Sequence, residues 1–322
     1  MGMAAPSSDY RTIEGFYQWD PAIEVTAQCL NTIFPTEING ADFHVCMPYS
    51  TVDGRLVEPT MLYRRPTSYV EVDPANAWGE WKSWDTQDDG LRVPVTINVK
   101  RVRLVTHVST DAEANHAALH LDGVLDRWWL NLRAWIEILT GQDLSTLGDR
   151  RRLGPNTVHL WTGTDEGLMN PLAFAINVPI PPQARALTDY GFNLCLQKVA
   201  ANEVPPTEWL FLRDSRSLHQ AHEWRRAVLD AATAAEIAAT AWLDAHAPDE
   251  VRTQLAAHPK PLGPLSKLFQ DNGGTLPDDF VGRLLTPRNH AAHRGHTLSL
   301  EESQSAIDTV TELLESTSPI GA

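Results

Sequence analysis

In the first two hundred residues the hydrophobic positions recur mostly at every second residue. Val95-Thr96-Ile97-Asn98-Val99-Lys100 alternates cleanly, and so does Val102-Arg103-Leu104. Alternation of this kind predicts strands with one buried face. The phase shifts at Arg101, which predicts a bulge or a twist there. Phe43-His44-Val45-Cys46-Met47, Tyr69-Val70-Glu71-Val72, Val158-His159-Leu160-Trp161 and Phe174-Ala175-Ile176-Asn177-Val178 read as further short strands. Asp53-Gly54, inside the apolar stretch Thr51 to Val57, is a hairpin signal. Prolines fall between these runs, where the loops of a sheet domain belong.

One stretch departs from period two. Between Asn115 and Gly141, Leu121, Leu125, Trp128, Leu132, Trp135 and Leu139 recur at steps of four and three. Val124, Trp129 and Ile136 widen the stripe, and Gly141 supplies the stop. This predicts a long amphipathic helix packed on the sheet. Trp78, Trp81 and Trp84 form a second aromatic cluster in a polar stretch. It has two accounts: a loop whose indoles tuck under the sheet, or a surface on which a base or a protein stacks.

From Glu208 onward the pattern turns helical and stays so. Trp209 to Gln220, Glu223 to His246, Asp249 to Ala257, Leu262 to Asn272 and Leu300 to Ser316 are the predicted helices. Pro248 ends the second, Asn272-Gly273-Gly274 is a turn, and Pro277 to Leu285 leads into a polar motif. Short connections between them describe an antiparallel bundle. Pro179, Pro181, Pro182, Pro205 and Pro206 crowd the preceding interval, which places the junction close to Pro205-Pro206, with Leu194-Cys195-Leu196 as the last strand before it. The expected fold class is therefore α+β. A mostly β domain over 1–204, with one long amphipathic helix, precedes an all-α helical bundle over 205–322.

Composition adds two constraints. The longest apolar runs are far too short for a bilayer, and Met1 to Tyr10 lacks a basic segment followed by an apolar core. Cys29, Cys46 and Cys195 are isolated and odd in number, which fits reduced thiols in a cytoplasm. A cytoplasmic protein without membrane association is expected. The net charge of −15 excludes a general nucleic-acid coat, which gains its affinity from a basic surface. A small cleft that meets one RNA briefly needs only local positive charge, and Arg225, Arg226, Arg283, Arg288 and Arg294 could supply it.

The motif between the last two helices is Leu284-Leu285-Thr286-Pro287-Arg288-Asn289-His290-Ala291-Ala292-His293-Arg294-Gly295. Thr286 suits an N-cap, Pro287 suits the first helical position, and Gly295 suits the stop. Ser299 with Glu301 and Glu302 starts the next helix. Asn289 and His293 are four apart and share a face. Arg288 and His293 are five apart and point roughly 140° away from each other on an ideal helix. One helix does not aim both at one atom, but two copies meeting across a symmetry axis can, so catalysis by this motif implies a homodimer.

Arg288-Asn289 followed by His293 resembles the R-x4-6-H signature of HEPN domains, the helical bundles of RNA-cutting toxins and anti-phage defence proteins. Its Asn form is similar to that of RNA-guided RNA-cleaving effectors. The Ala-rich stretch from Trp224 to Glu236 is similar to the helix that precedes the motif in such domains, and Ala306 through Leu314 to their last helix. The resemblance covers the final third of the chain. It implies a metal-independent endoribonuclease, a hydrolase leaving a 2′,3′-cyclic phosphate and a 5′-hydroxyl. It also implies a setting of antiviral defence, as in abortive-infection or Apea-like proteins, or of a toxin system. There the N-terminal domain would sense a phage-derived trigger or regulate the site, or a separate antitoxin would hold it silent.

In that reading Arg288, His293 and Asn289 are catalytic. His suits proton transfer near neutral pH, and Arg suits the phosphorane, because its fork stays charged and pairs with two oxygens. Asn289 would orient His293 or hold a phosphate oxygen. His290, Arg294, Arg225 and Arg226 are candidate RNA contacts, and Asp230 and Glu236 candidate orienting groups. The structural account is that Arg288 pairs with a carboxylate such as Asp230 or Glu236 while His293 caps the bundle. The protein would then be a dimerisation module beside a ligand- or protein-binding β domain, a rival that the acidic charge favours. No cofactor is expected. His290, His293 and His296 share a face only loosely, with no Cys or Asp cluster, so no metal is expected either. His219 and His222 do not match H-E-x-x-H and read as a partly exposed helix face.

Overall fold

The computed structural model describes residues 11–51, 55–59, 76–86, 92–109, 111–148, 161–163, 169–171, 184–293 and 297–320. The architecture is α+β, with an antiparallel sheet region followed by a helical region. Two compact units make up the chain. One comprises Met1–Ser145 and Ala184–Leu210, the other Thr146–Gln183 and Phe211–Ala322.

The first unit is built around two long strands, β1 (Arg11–Thr26) and β7 (Arg92–Val108). Their partners are β2 (Ile33–Ile38), β3 (Ala41–Cys46) and β6 (Gly79–Thr86). The sheet runs β1-β7-β3-β2, with β6 also on β7, and every pairing is antiparallel. In β2 the period of two is complete, since Phe34, Thr36 and Ile38 are buried and their neighbours exposed. In β7 Ile97 and Val99 are buried with half-buried neighbours, whereas Val102 to Thr106 are buried on both faces, so the alternation ends there. The extra residues lie across the ladder: the β1 register jumps from Gln18 opposite Arg101 to Ile23 opposite Val99. The irregularity is thus on β1, because Trp19 leaves the ladder to enter the core. Tyr49–Ser50 (β4) pairs with Leu56–Val57 (β5) around the expected hairpin, whose Asp53-Gly54 lies outside the described residues.

The long helix is present as α1 (Asp111–Thr140), and Gly141 leaves it at φ +73. Its Trp128, Trp129, Leu132, Trp135 and Ile136 are buried. Trp129 stacks on Trp19 with centroids 5.5 Å apart, so the stripe meets the strand that bulges toward it. Trp81 and Trp84 belong to β6, and no loop carries them; Trp78 just before it is buried.

Leu194-Cys195-Leu196 is not a strand. It lies in α2 (Asp189–Ala200), where Phe192, Cys195, Leu196 and Val199 are buried at helical spacing. Thr188 caps this helix by accepting from the Gly191 N–H at 3.0 Å. Three apolar letters in a row hid a longer 3–4 pattern, which the capping Thr-Asp pair announces. Phe192 meets Phe34 edge-on at 4.9 Å, so α2 covers β2.

In the second unit, two short paired strands, β8 (Trp161–Gly163) and β9 (Met169–Pro171), precede the helices. The predicted strands Tyr69–Val72 and Phe174–Val178 lie outside the described residues, as does Val158–Leu160. The helices follow the sequence closely: α3 (Thr207–Gln220), α4 (Trp224–His246), α5 (Asp249–Ala257), α6 (Leu262–Asp271), α7 (Thr286–His293) and α8 (Leu300–Thr317). The centre is α4, packed against α6, α7 and α8. Its buried face is Ala227, Ala231, Ala234, Ala235, Ala238 and Ala239. Small side chains let α8 approach closely with Ala306, Val310, Leu313 and Leu314. Ser299 and Glu302 form the capping box that opens α8. No helix among the described residues is long and apolar enough to cross a membrane.

Candidate functional site

The motif helix does not begin at Thr286. A π-helical segment, Val281–Leu285, runs into α7 without a break, and Thr286 has helical torsions (φ −65, ψ −52). The chain starts to wind at Asp279, whose carboxylate accepts from the Gly282 N–H at 3.3 Å. Pro287 explains the wide turn. A proline inside an α-helix loses one hydrogen bond and drives its ring against the carbonyl four residues back. The Thr286 N–H instead bonds the Val281 carbonyl, five residues back, and the wider turn makes room for the ring. Arg283 then ties the segment to α8, with Nε 3.2 Å from Ser305 Oγ and one terminal nitrogen 3.2 Å from Glu312 Oε1.

On α7, Pro287 and Ala291 are buried and Asn289 is exposed. Arg288 is half-buried. One terminal nitrogen lies 3.5 Å from Glu236 Oε1 on α4, with side chains 23% and 31% exposed. Another donates to Asn289 Oδ1 at 3.3 Å. Of the two orienting candidates, Glu236 is therefore the one that meets Arg288. The same carboxylate oxygen also accepts the Leu262 N–H at 3.1 Å, so one residue of α4 holds both the motif arginine and the start of α6. Asp230 stands elsewhere: burial pushes its carboxyl up, Asp214 adds to the shift and Arg226 opposes it. Asn289 spends its described hydrogen bond on Arg288, a third role beside orienting His293 or holding phosphate.

Arg225, at the start of α4, reaches the other end of α7. Its Nε donates to the Ala291 carbonyl at 2.8 Å. Arg226 pairs instead with Glu223, the residue before α4, at 2.5 Å. His290 is half-buried on α7. His293 closes α7 with its backbone, while its side chain and all of Arg294, Gly295 and His296 lie outside the described part.

The histidines before α4 also differ from expectation. His219 is buried, 2.9 Å from Ser303 Oγ on α8, because α3 turns that face into the bundle. Burial pulls its pKa down, His222 adds to this, and Asp308 opposes it. His222 is exposed at φ +61, just past the helix end. The three cysteines are buried and unpaired. Burial pushes the Cys29 thiol up to about 11 and Cys195 to about 12, so neither is a nucleophile at neutral pH.

Sequence reasoning missed the π-turn, the Arg283 tie and the double use of Glu236. Asp279 three residues before Gly282 is the signal that could have found the first. Comparison of the chain with protein-family models, with curated proteins and with solved structures gives no match.

Proposed function

We propose that the second unit is a HEPN-like, metal-independent endoribonuclease, working in the cytoplasm in anti-phage defence or as a toxin. The first unit would act as its sensor or regulator. The observation that carries the reading is the state of Arg288. It sits half-exposed on the motif helix beside Asn289, held by one carboxylate at a distance too long for a tight pair. An RNA phosphate, with two oxygens to match the planar fork, competes well for such a group. In the mechanism, His293 takes the proton from the ribose 2′-hydroxyl and the resulting oxygen attacks the adjacent phosphorus. The 5′-oxygen then leaves and gains a proton from solvent water or from the imidazolium that His293 has become. The 2′,3′-cyclic phosphate and 5′-hydroxyl follow, while Arg288 and Asn289 stabilise the charge on the phosphorane. Positions five apart on an ideal helix lie roughly 140° apart, so in this reading two copies of the chain complete one site.

The second reading is a non-catalytic dimerisation module. The Glu236–Arg288 pair favours it, since it is the carboxylate contact that a structural arginine would make. Expression of wild type, Arg288→Ala and His293→Ala in a bacterial host, with phage challenge and total RNA resolved on gels, separates the two. Wild type alone should degrade RNA or block phage. Three identical outcomes from three folded proteins would overturn the nuclease reading.

A further inference from the structure

We infer that Arg225 holds a second phosphate of the RNA strand, besides the one held at Arg288. The inference deepens the ribonuclease reading by making the substrate a strand with at least two phosphates in reach. It stands on the way the arginines of the second unit are engaged. Arg213, Arg226, Arg252, Arg283 and Arg288 each have a carboxylate partner among the described residues. Arg225 has none among the described residues, although the chain carries a net charge of −15, and neither has Arg216, which is half-buried and donates to the Thr311 hydroxyl at 3.1 Å. The Arg225 side chain is exposed, and its described bond is made by Nε to the Ala291 carbonyl at 2.8 Å.

That arrangement anchors the guanidinium through Nε. The two terminal nitrogens remain as a parallel pair of donors, the geometry that matches two oxygens of one phosphate. Most of the rotamer entropy that a long side chain loses on binding is already lost to the Ala291 bond. The carbonyl it grips is two residues before His293, so the fork is held at the same end of α7 as the proposed base. Arg288 lies toward the start of α7, at its contact with Glu236. Two cations at the two ends of one short helix suit two phosphates of a single strand. Arg226, beside Arg225 in sequence, is the internal control, because Glu223 already neutralises it.

The test uses the full chain and a short 2′-O-methylated oligoribonucleotide, which cannot be cut, with binding read by fluorescence anisotropy across a salt series. Arg225→Gln should weaken binding about tenfold and lower the salt slope by about 0.7, the loss of one phosphate contact on a single strand. Arg226→Gln should change neither much. Arg225→Lys keeps the charge but not the fork, so its slope should stay while its affinity falls less; it also decides the matter if Arg225→Gln fails to fold. A methylphosphonate oligomer of the same sequence should ignore all three changes. Equal binding by wild type and Arg225→Gln, or no binding by wild type, overturns the inference. Cleavage of ordinary RNA is scored separately with His293→Ala. Binding that depends on Arg225 in a protein that cuts nothing sinks the nuclease reading and leaves this inference standing. Cleavage with binding that ignores Arg225 does the reverse.

Discussion

The first unit has surface ion pairs such as Lys100–Glu80, but it differs from the second in also sealing charged groups in its interior. In the first, the pair Glu14–Arg103 is sealed in the sheet, with side chains 7% and 3% exposed. Arg103 also donates to the Pro59 carbonyl at 3.1 Å. Glu137 turns its carboxylate onto the Leu144 N–H and the Ser145 hydroxyl, both at 2.8 Å, and closes the chain after α1. These groups are spent on structure. In the second unit the corresponding groups ring α4 half-exposed, as Arg288 and Glu236 do, or carry an open fork, as Arg225 does. A buried pair loses water and has nothing left to offer a ligand; a half-exposed one keeps a reserve of donors. The contrast leaves Arg288 and Arg225 open to a ligand and gives the buried pair Glu14–Arg103 a framework role.

Four substitutions sharpen or break that contrast. Arg103→Met should have the largest effect, because it leaves Glu14 buried and uncompensated. We expect a loss of about 3–5 kcal/mol, read by denaturant unfolding of the first unit through the fluorescence of Trp19 and Trp129. A cost below about 1 kcal/mol would show that the pair is not sealed. Glu236→Gln should change stability by less than about 1 kcal/mol, as half-exposed pairs do. It should tighten RNA binding about threefold by freeing Arg288; weaker binding would instead make Glu236 the group that aims Arg288.

Smaller still is the effect of pH through His219. Its folded value is lowered by burial, so the unfolded chain binds the proton more readily. The stability it contributes is present above the unfolded value of about 6.5 and is lost as pH falls below it toward the lowered folded value. His219→Gln should flatten that acid limb in thermal melts while leaving neutral stability nearly unchanged. Asp230→Asn should have the least effect. Its folded value is raised, so ionisation at neutral pH costs stability, and the amide should give a small rise in melting temperature. A fall would mean that the charge is used.

The same contrast explains what the amino-acid sequence revealed. The helices of the second unit were legible nearly to the residue, because each pairs a 3.6-residue stripe with local end signals, such as Ser299 and Glu302 for α8 or Pro248 after α4. The sheet was legible as strands but not as a topology. Which strand lies beside β7 depends on contacts far apart in the chain, and no local signal specifies that Phe43 faces Thr106. The jog at Arg101 was visible in β7, whereas the residues that cause it sit on β1. Leu194-Cys195-Leu196 alone resembles a strand, and only Thr188 before it and Val199 after it mark the helix α2. At the site, residue types and spacing named Arg288, Asn289 and Glu236, but the partner of each was invisible: Glu236 is 52 positions before Arg288 and joins it only because α4 passes α7.

We propose that Arg288 and His293 cut RNA through its own 2′-hydroxyl. The most direct test is end-group analysis of RNA incubated with purified protein in excess EDTA, beside His293→Ala. The account predicts 2′,3′-cyclic phosphate and 5′-hydroxyl termini from wild type, and a rate lower by about a hundredfold or more in the variant. Intact RNA, 5′-phosphate termini, or equal cleavage by His293→Ala would contradict it.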